Sequence, residues 1–305
     1  MESVRLPRFK RTAGVAVIQV TDRDREIIRL VHRHRFLRSS QIIALIGASS
    51  QQLLRRFQLL YHHSFLERPR AQIDYYHRGG SRHMVYGLGN KGAALLKREL
   101  GLADDDLYWG GKNQSVGRLF LEHALLISEV MVALELACRD HGRIRLVMDG
   151  EISLPDSTRS QREPFHWSVN VNSHLKLGII PDQVFALEFA DRPGERAIFF
   201  LEADRGTMPV TRKSLSHTSF HRKLLAYEAT WTQNLHRSRF GFHRFRVLTV
   251  TTGADRARHL ADAAAQLKRG RGLFLFADVK SFLAQSPLAE IWKTACSDQP
   301  ISLLS

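Results

Sequence analysis

Residues 181 to 207, PDQVFALEFADRPGERAIFFLEADRGT, constrain the fold most, because they read as two apolar strands that pair and carry acids where strands usually carry none. Asp182 opens the first strand after a proline, and Glu202 and Asp204 close the second. Around this pair the patterns run in the order αβββαβαβ. A long amphipathic helix stops at Gly142, the strand RIRLVMDGEISL follows, and DQVFALEF and AIFFLEA come next. The helix SFHRKLLAYEATWTQNL, the strand FRVLTVTT, the helix ADRARHLADAAAQLKRG and the strand GLFLFAD complete the order. Strands grouped first and then alternating with helices predict a mixed sheet with helices on both faces. The polar stretch 157–178 reads as a hairpin or as a loop over a groove.

The first hundred residues are built differently. A chain of 305 residues suggests two domains more readily than one. The formal net charge of +15 is uneven: residues 1–100 hold 19 Lys/Arg against 7 Asp/Glu, a net of +12, and the remainder holds 26 against 23. A compact basic segment is the electrostatic footprint of a phosphate-backbone ligand, whose counterions are released on binding. Thr21 or Asp22 can cap a helix with an apolar stripe at Ile27, Ile28, Leu30 and Val31. A short helix, SSQIIALIG, ends at Gly47. A third helix starts at Ser49 or Ser50, with Leu53, Leu54, Phe57, Leu60 and Tyr61 at core spacing. A strand at 65–68, a turn HRGGSR and a returning strand HMVYGLG follow, and a closing helix at 90–100 packs against the first.

That order predicts a winged helix-turn-helix over 1–100, with 101–115 (GLADDDLYWGGKNQS) as a linker and 116–305 as the second domain. In such a fold the third helix enters the major groove, where Gln pairs with adenine and Arg with guanine through two hydrogen bonds each. The candidate DNA-contacting residues are therefore Ser49, Gln51, Gln52, Arg55 and Arg56. Arg78 and Arg82 on the wing would contact phosphate or the minor groove, which positions the domain without reading sequence. A protein-interaction module with a solvated basic helix is the competing reading. Histidines 32, 34, 62 and 63 have no partner at ligand spacing, so no zinc is expected.

The acids raise a separate question. Carboxylates on adjacent strands repel and raise one another's pKa unless a cation is shared. Hard oxygen ligands suit Mg²⁺ or Mn²⁺, which activate water and neutralise phosphate in hydrolysis. Alternatively, the acids are solvated or capped by arginines such as Arg205 or Arg222. The pattern resembles the PD-(D/E)xK nuclease superfamily, in which a strand Asp and a following Glu-x-Lys hold metal. That resemblance implies Asp182 and Glu202 as ligands, with Glu122 of FLEHAL as the helix acid. The sequence departs at Asp204, where the superfamily pattern has Lys. Either Asp204 is a further ligand and Lys223 supplies the missing cation, making Asp182, Glu202 and Lys223 the catalytic set, or the site is inactive.

From DREIIRLVHRHRFLRSSQIIAL through PDQVFAL and FFLEADRGT to RVLTVTT, residues 20 to 280 also resemble the replication-relaxation family of plasmids and mobile elements. The resemblance implies an α/β protein: an N-terminal winged helix followed by a nuclease-like domain whose mixed sheet is flanked by helices. It implies DNA binding in replication or mobilisation, with nicking by a divalent metal or, alternatively, an accessory role with an inactive nuclease-like domain. Partners compatible with it are double-stranded DNA, a second copy of the chain, and replication or mobilisation proteins. Tyr75 and Tyr76, beside the wing, read as stacking or core residues rather than a relaxase pair. Apolar runs fall short of the roughly 18 residues of a membrane span, and Cys138 and Cys296 lack metal spacing, so a cytoplasmic protein with reduced thiols is expected.

Overall fold

The computed structural model describes residues 7–12, 17–73, 83–101, 109–297 and 299–304. The chain forms two compact units, 1–132 and 133–305. The division falls inside a long helix rather than in the expected linker. Residues 102–108 of that linker lie outside the described residues, as do Tyr75, Tyr76, Arg78, Arg82 and the expected wing turn at 77–82. The rest of the linker differs from expectation. Trp109–Gln114 is a short helix whose Asn113 is buried and donates to the Leu88 carbonyl at 2.9 Å.

In the first unit, α1 (Asp22–His34) begins at Thr21, which forms a capping box with Asp24. It is followed by β1 (Phe36–Arg38), α2 (Ser39–Ile46) and α3 (Ser50–His62). Gly47 ends α2 with a φ of +69°, a left-handed cap that glycine adopts without Cβ strain. Then come β2 (Leu66–Glu67), β3 (Val85–Leu88), α4 (Asn90–Leu100), the short helix α5 (Trp109–Gln114) and α6 (Arg118–His141). The strands make an antiparallel sheet ordered β1-β3-β2. Strand β1 was not legible as a strand because it is three residues long. Helix α4 lies close to the chain entering β2: a Cβ on Gly92 would stand 2.3 Å from the Phe65 carbonyl oxygen. Glu99 of α4 accepts from Arg25 and Arg29 of α1, each at 2.8 Å, so the closing helix does pack on the first. Leu121, Ala124 and Leu125 of α6 pack with Phe36 and Val85.

In the second unit, β4 (Ile144–Met148), the short α7 (Asp156–Arg159), β5 (Trp167–Asn172) and β6 (Leu175–Ile179) precede the paired β7 (Gln183–Phe189) and β8 (Arg196–Asp204). Then follow α8 (Phe220–Thr232), the short α9 (Leu235–Ser238), β9 (Arg246–Thr251), α10 (Ala254–Ala265), β10 (Phe274–Asp278), α11 (Val279–Ala284) and β11 (Lys293–Thr294). The mixed sheet runs β11-β10-β9-β8-β7-β4. Strands β8, β9 and β10 are parallel, and β7 runs antiparallel to both of its neighbours, β4 and β8. The polar stretch proves to be a hairpin, β5-β6, outside the main sheet. Trp167 of that hairpin joins Phe200, Tyr227 and Phe240 in one aromatic cluster. Phe185, Leu187, Phe199 and Leu201 are also buried, so both faces of the central strands are covered. That double cover explains the near-continuous apolar runs of β7 and β8.

Candidate functional site

Helix α3 presents one polar stripe. Leu53, Phe57, Leu60 and Tyr61 are buried, whereas Gln51, Gln52 and Arg55 are exposed and Gln58 is half-buried. Ser49 caps the helix with its backbone alone, and its side chain is exposed. Two expectations need correction. Leu54, assigned to the core by its spacing, is 47% exposed. Arg56, assigned to base reading, is turned to Asp24: its Nε donates at 2.9 Å, its Nη2 donates to the other carboxylate oxygen, and Nη2 also reaches the Gln19 carbonyl at 3.1 Å. Asp24 is fully buried, so its charge requires a partner, and Arg56 of α3 supplies it. Burial alone would raise the Asp24 carboxyl, but hydrogen bonds from Arg56 and Thr21 outweigh it and hold the group below the usual carboxylate range.

The acids lie in the second unit. Along β8 the side chains of Ile198, Phe200, Glu202 and Asp204 share one face by strand alternation. Ile198 and Phe200 belong to the core beneath α8, so Glu202 and Asp204 continue an apolar row with carboxylates. They are 1% and 7% exposed. The position is the carboxyl end of a central strand whose neighbour β9 is parallel to it, where open α/β sheets form their crevices. Asp182, just before β7, donates its N–H to the Leu201 carbonyl at 3.0 Å, and its Oδ2 accepts from Ala203 N–H at 2.7 Å. Asp182 is thereby set beside Glu202.

Two protein cations answer these carboxylates. Lys223 and Tyr227 are one turn apart on α8 and so share a face. Lys223 Nζ donates to Glu202 Oε2, and the Tyr227 hydroxyl donates to Oε1 at 2.7 Å. Asp204 Oδ2 accepts from Thr251 Oγ1 at 2.7 Å and from Arg256 Nε at 2.9 Å; Arg256 Nη2 lies 3.2 Å from Oδ1. Burial pushes Glu202 up, the Asp182 charge adds to that, and Lys223 and Tyr227 oppose it. Burial works against the Lys223 ammonium, yet Glu202, Asp182 and Asp204 together hold it above its usual value. Tyr227 is raised well above its usual value, first by burial and then by the Glu202 charge, so it remains a donor.

The geometry thus groups Asp182, Glu202, Asp204 and Lys223. Glu122 belongs to the first unit, where Arg118 donates to it at 2.8 Å. Arg222 donates to the carbonyls of Leu215 and Ser216, and Arg256 caps Asp204. Arg256, Thr251 and Tyr227 were missed. The signal for Tyr227 was its i+4 spacing from Lys223, but nothing local ties Arg256 to a strand 52 residues earlier. As placed, both oxygens of Glu202 and of Asp204 accept from protein donors. Among the described residues no group of three or more His, Cys, Asp or Glu side chains is arranged to hold a metal ion.

Cys138 is buried, which pushes its thiol up to about 12, and Cys296 is exposed; both are free. No helix among the described residues is long and apolar enough to cross a membrane. No match was found among curated proteins or among solved structures. A family model described as replication-relaxation matches residues 28–244, more than two thirds of the chain. That span runs from within α1 through the acid-bearing strands, α8 and α9 to just before β9, and the chain belongs to the replication-relaxation family.

Proposed function

We propose that this chain is a double-stranded DNA-binding protein acting in plasmid or mobile-element replication or mobilisation. Family membership suggests the process. The observation that carries DNA binding is the exposed stripe of α3, with Gln51, Gln52 and Arg55 free of the core, in a segment of net charge +12. The order α1-β1-α2-α3-β2-β3 with a β1-β3-β2 sheet supports reading the first unit as a winged helix, whose third helix is the groove-entering element. Gln51, Gln52 and Arg55 are the base readers in this proposal, and Arg56 supports the helix instead. The test compares full-length wild type with Gln51→Ala and Arg55→Ala on selected and random duplexes. Each substitution should cost discrimination of about 1–3 kcal/mol per lost bidentate contact. Equal losses on selected and random DNA would remove α3 from base reading.

A second reading, DNA nicking by the second unit, is favoured by one observation: Asp182, Glu202 and Lys223 are brought together at the carboxyl end of β8. Against it stands the engagement of the carboxylate oxygens by Lys223, Tyr227, Thr251 and Arg256. We therefore place the accessory, non-cutting role first. Supercoiled plasmid incubated with the full chain in Mn²⁺ should remain supercoiled. Nicking that Glu202→Gln abolishes without loss of DNA binding would reverse the order of the two readings.

A further inference from the structure

The outward stripe of α3 carries one apolar side chain. Gln51, Leu54, Arg55 and Gln58 follow one another at i, i+3, i+4 and i+7, which places them along one line of the helix surface. Leu54 is 47% exposed in the middle of that line, between two amides and a guanidinium. The core does not need it: Leu53, Phe57 and Leu60 already fill the buried face at 0% exposure. Every other member of the line is a group that forms two hydrogen bonds to a base edge. The one apolar group on the major-groove edge of DNA is the 5-methyl of thymine, and its usual partners are apolar side chains.

Resting on the DNA-reading role proposed above for α3, we propose that Leu54 is a specificity-determining residue that contacts a thymine methyl within the recognised site. The flanking Gln51 and Arg55 then read neighbouring bases by hydrogen bonds, so the site contains a thymine between or beside an adenine and a guanine. The basic charge of the unit is complementary to the duplex, which makes nucleic acid rather than a protein groove the occupant of this face.

The test uses the full chain and a random-sequence duplex pool from which bound sites are selected. Each thymine of the selected site is then replaced by deoxyuridine, which deletes the methyl and leaves base pairing unchanged. Wild type should lose about fourfold in affinity at one position, the worth of one buried methyl-sized group. Leu54→Ala should bind with its sensitivity to that replacement abolished, and Leu54→Met, which keeps an apolar tip, should retain it. The exposed position leaves folding intact, and equal melting of the variants checks that. Failure of wild type to bind any duplex would remove the DNA-reading role itself. Binding with no deoxyuridine-sensitive position, or equal sensitivity in Leu54→Ala, would overturn the Leu54 contact and leave that role standing.

Discussion

Asp24 and Arg56 illustrate how one side chain is reassigned by its partner. A buried carboxylate without its cation is strongly destabilising, so Arg56→Ala should cost about 3–5 kcal/mol in urea unfolding of the full chain. Its effect on DNA binding should follow from lost folding rather than from a lost base contact. The pH dependence has a definite sign. Asp24 is held below its ordinary value in the folded state, so its contribution is present above the unfolded value of about 3.9 and is lost as pH falls through the depressed one. The gap between wild type and Arg56→Ala should therefore narrow below about pH 4. An undiminished gap at acid pH would mean that packing of the arginine stem, not the charge pair, supplies the stability.

At the scale of elements, α8 decides the state of the acid cluster, because Lys223 and Tyr227 both descend from it onto Glu202. In Lys223→Met, Glu202 keeps only the Tyr227 hydroxyl, and its carboxyl, already raised by burial, rises further. A folded-state value above the unfolded one contributes stability that is present below the unfolded value and lost as pH rises through the folded one. The variant should therefore be nearly as stable as wild type near the ordinary glutamate value of about 4.3 and progressively less stable toward neutral pH. Adding Glu202→Gln should flatten that dependence. A loss independent of pH would show that Glu202 is not the titrating group.

Across the whole molecule the charge is concentrated in the N-terminal third, and its consequence is salt dependence. Affinity of the full chain for random duplex should fall steeply with salt, with a log–log slope of about −0.9 per phosphate contact. Several contacts are expected from a segment of net charge +12. A slope near zero, measured by fluorescence anisotropy between low and moderate salt, would show that the basic surface does not meet the phosphate backbone.

Local pattern determined much of this protein. Capping at Thr21, the glycine stop at Gly47 and the two-sided apolar runs of β7 and β8 are short-range signals, so helices α1 to α4 and the mixed sheet were readable from sequence. The grouping of Asp182 with Glu202 was also readable, because paired strands bring their ends together. Periodicity could not say whether Leu54 lies just inside or just outside the buried arc, since it sits at the edge of the stripe. The partner of a charge was equally hidden: Arg56 and Asp24 are 32 residues apart, and Arg256 and Asp204 are 52 apart. Only the tertiary arrangement that brings Arg56 of α3 to Asp24 of α1, and Arg256 of α10 to Asp204 at the end of β8, decided that two arginines neutralise buried carboxylates, because burial, unlike secondary structure, depends on which distant surfaces meet.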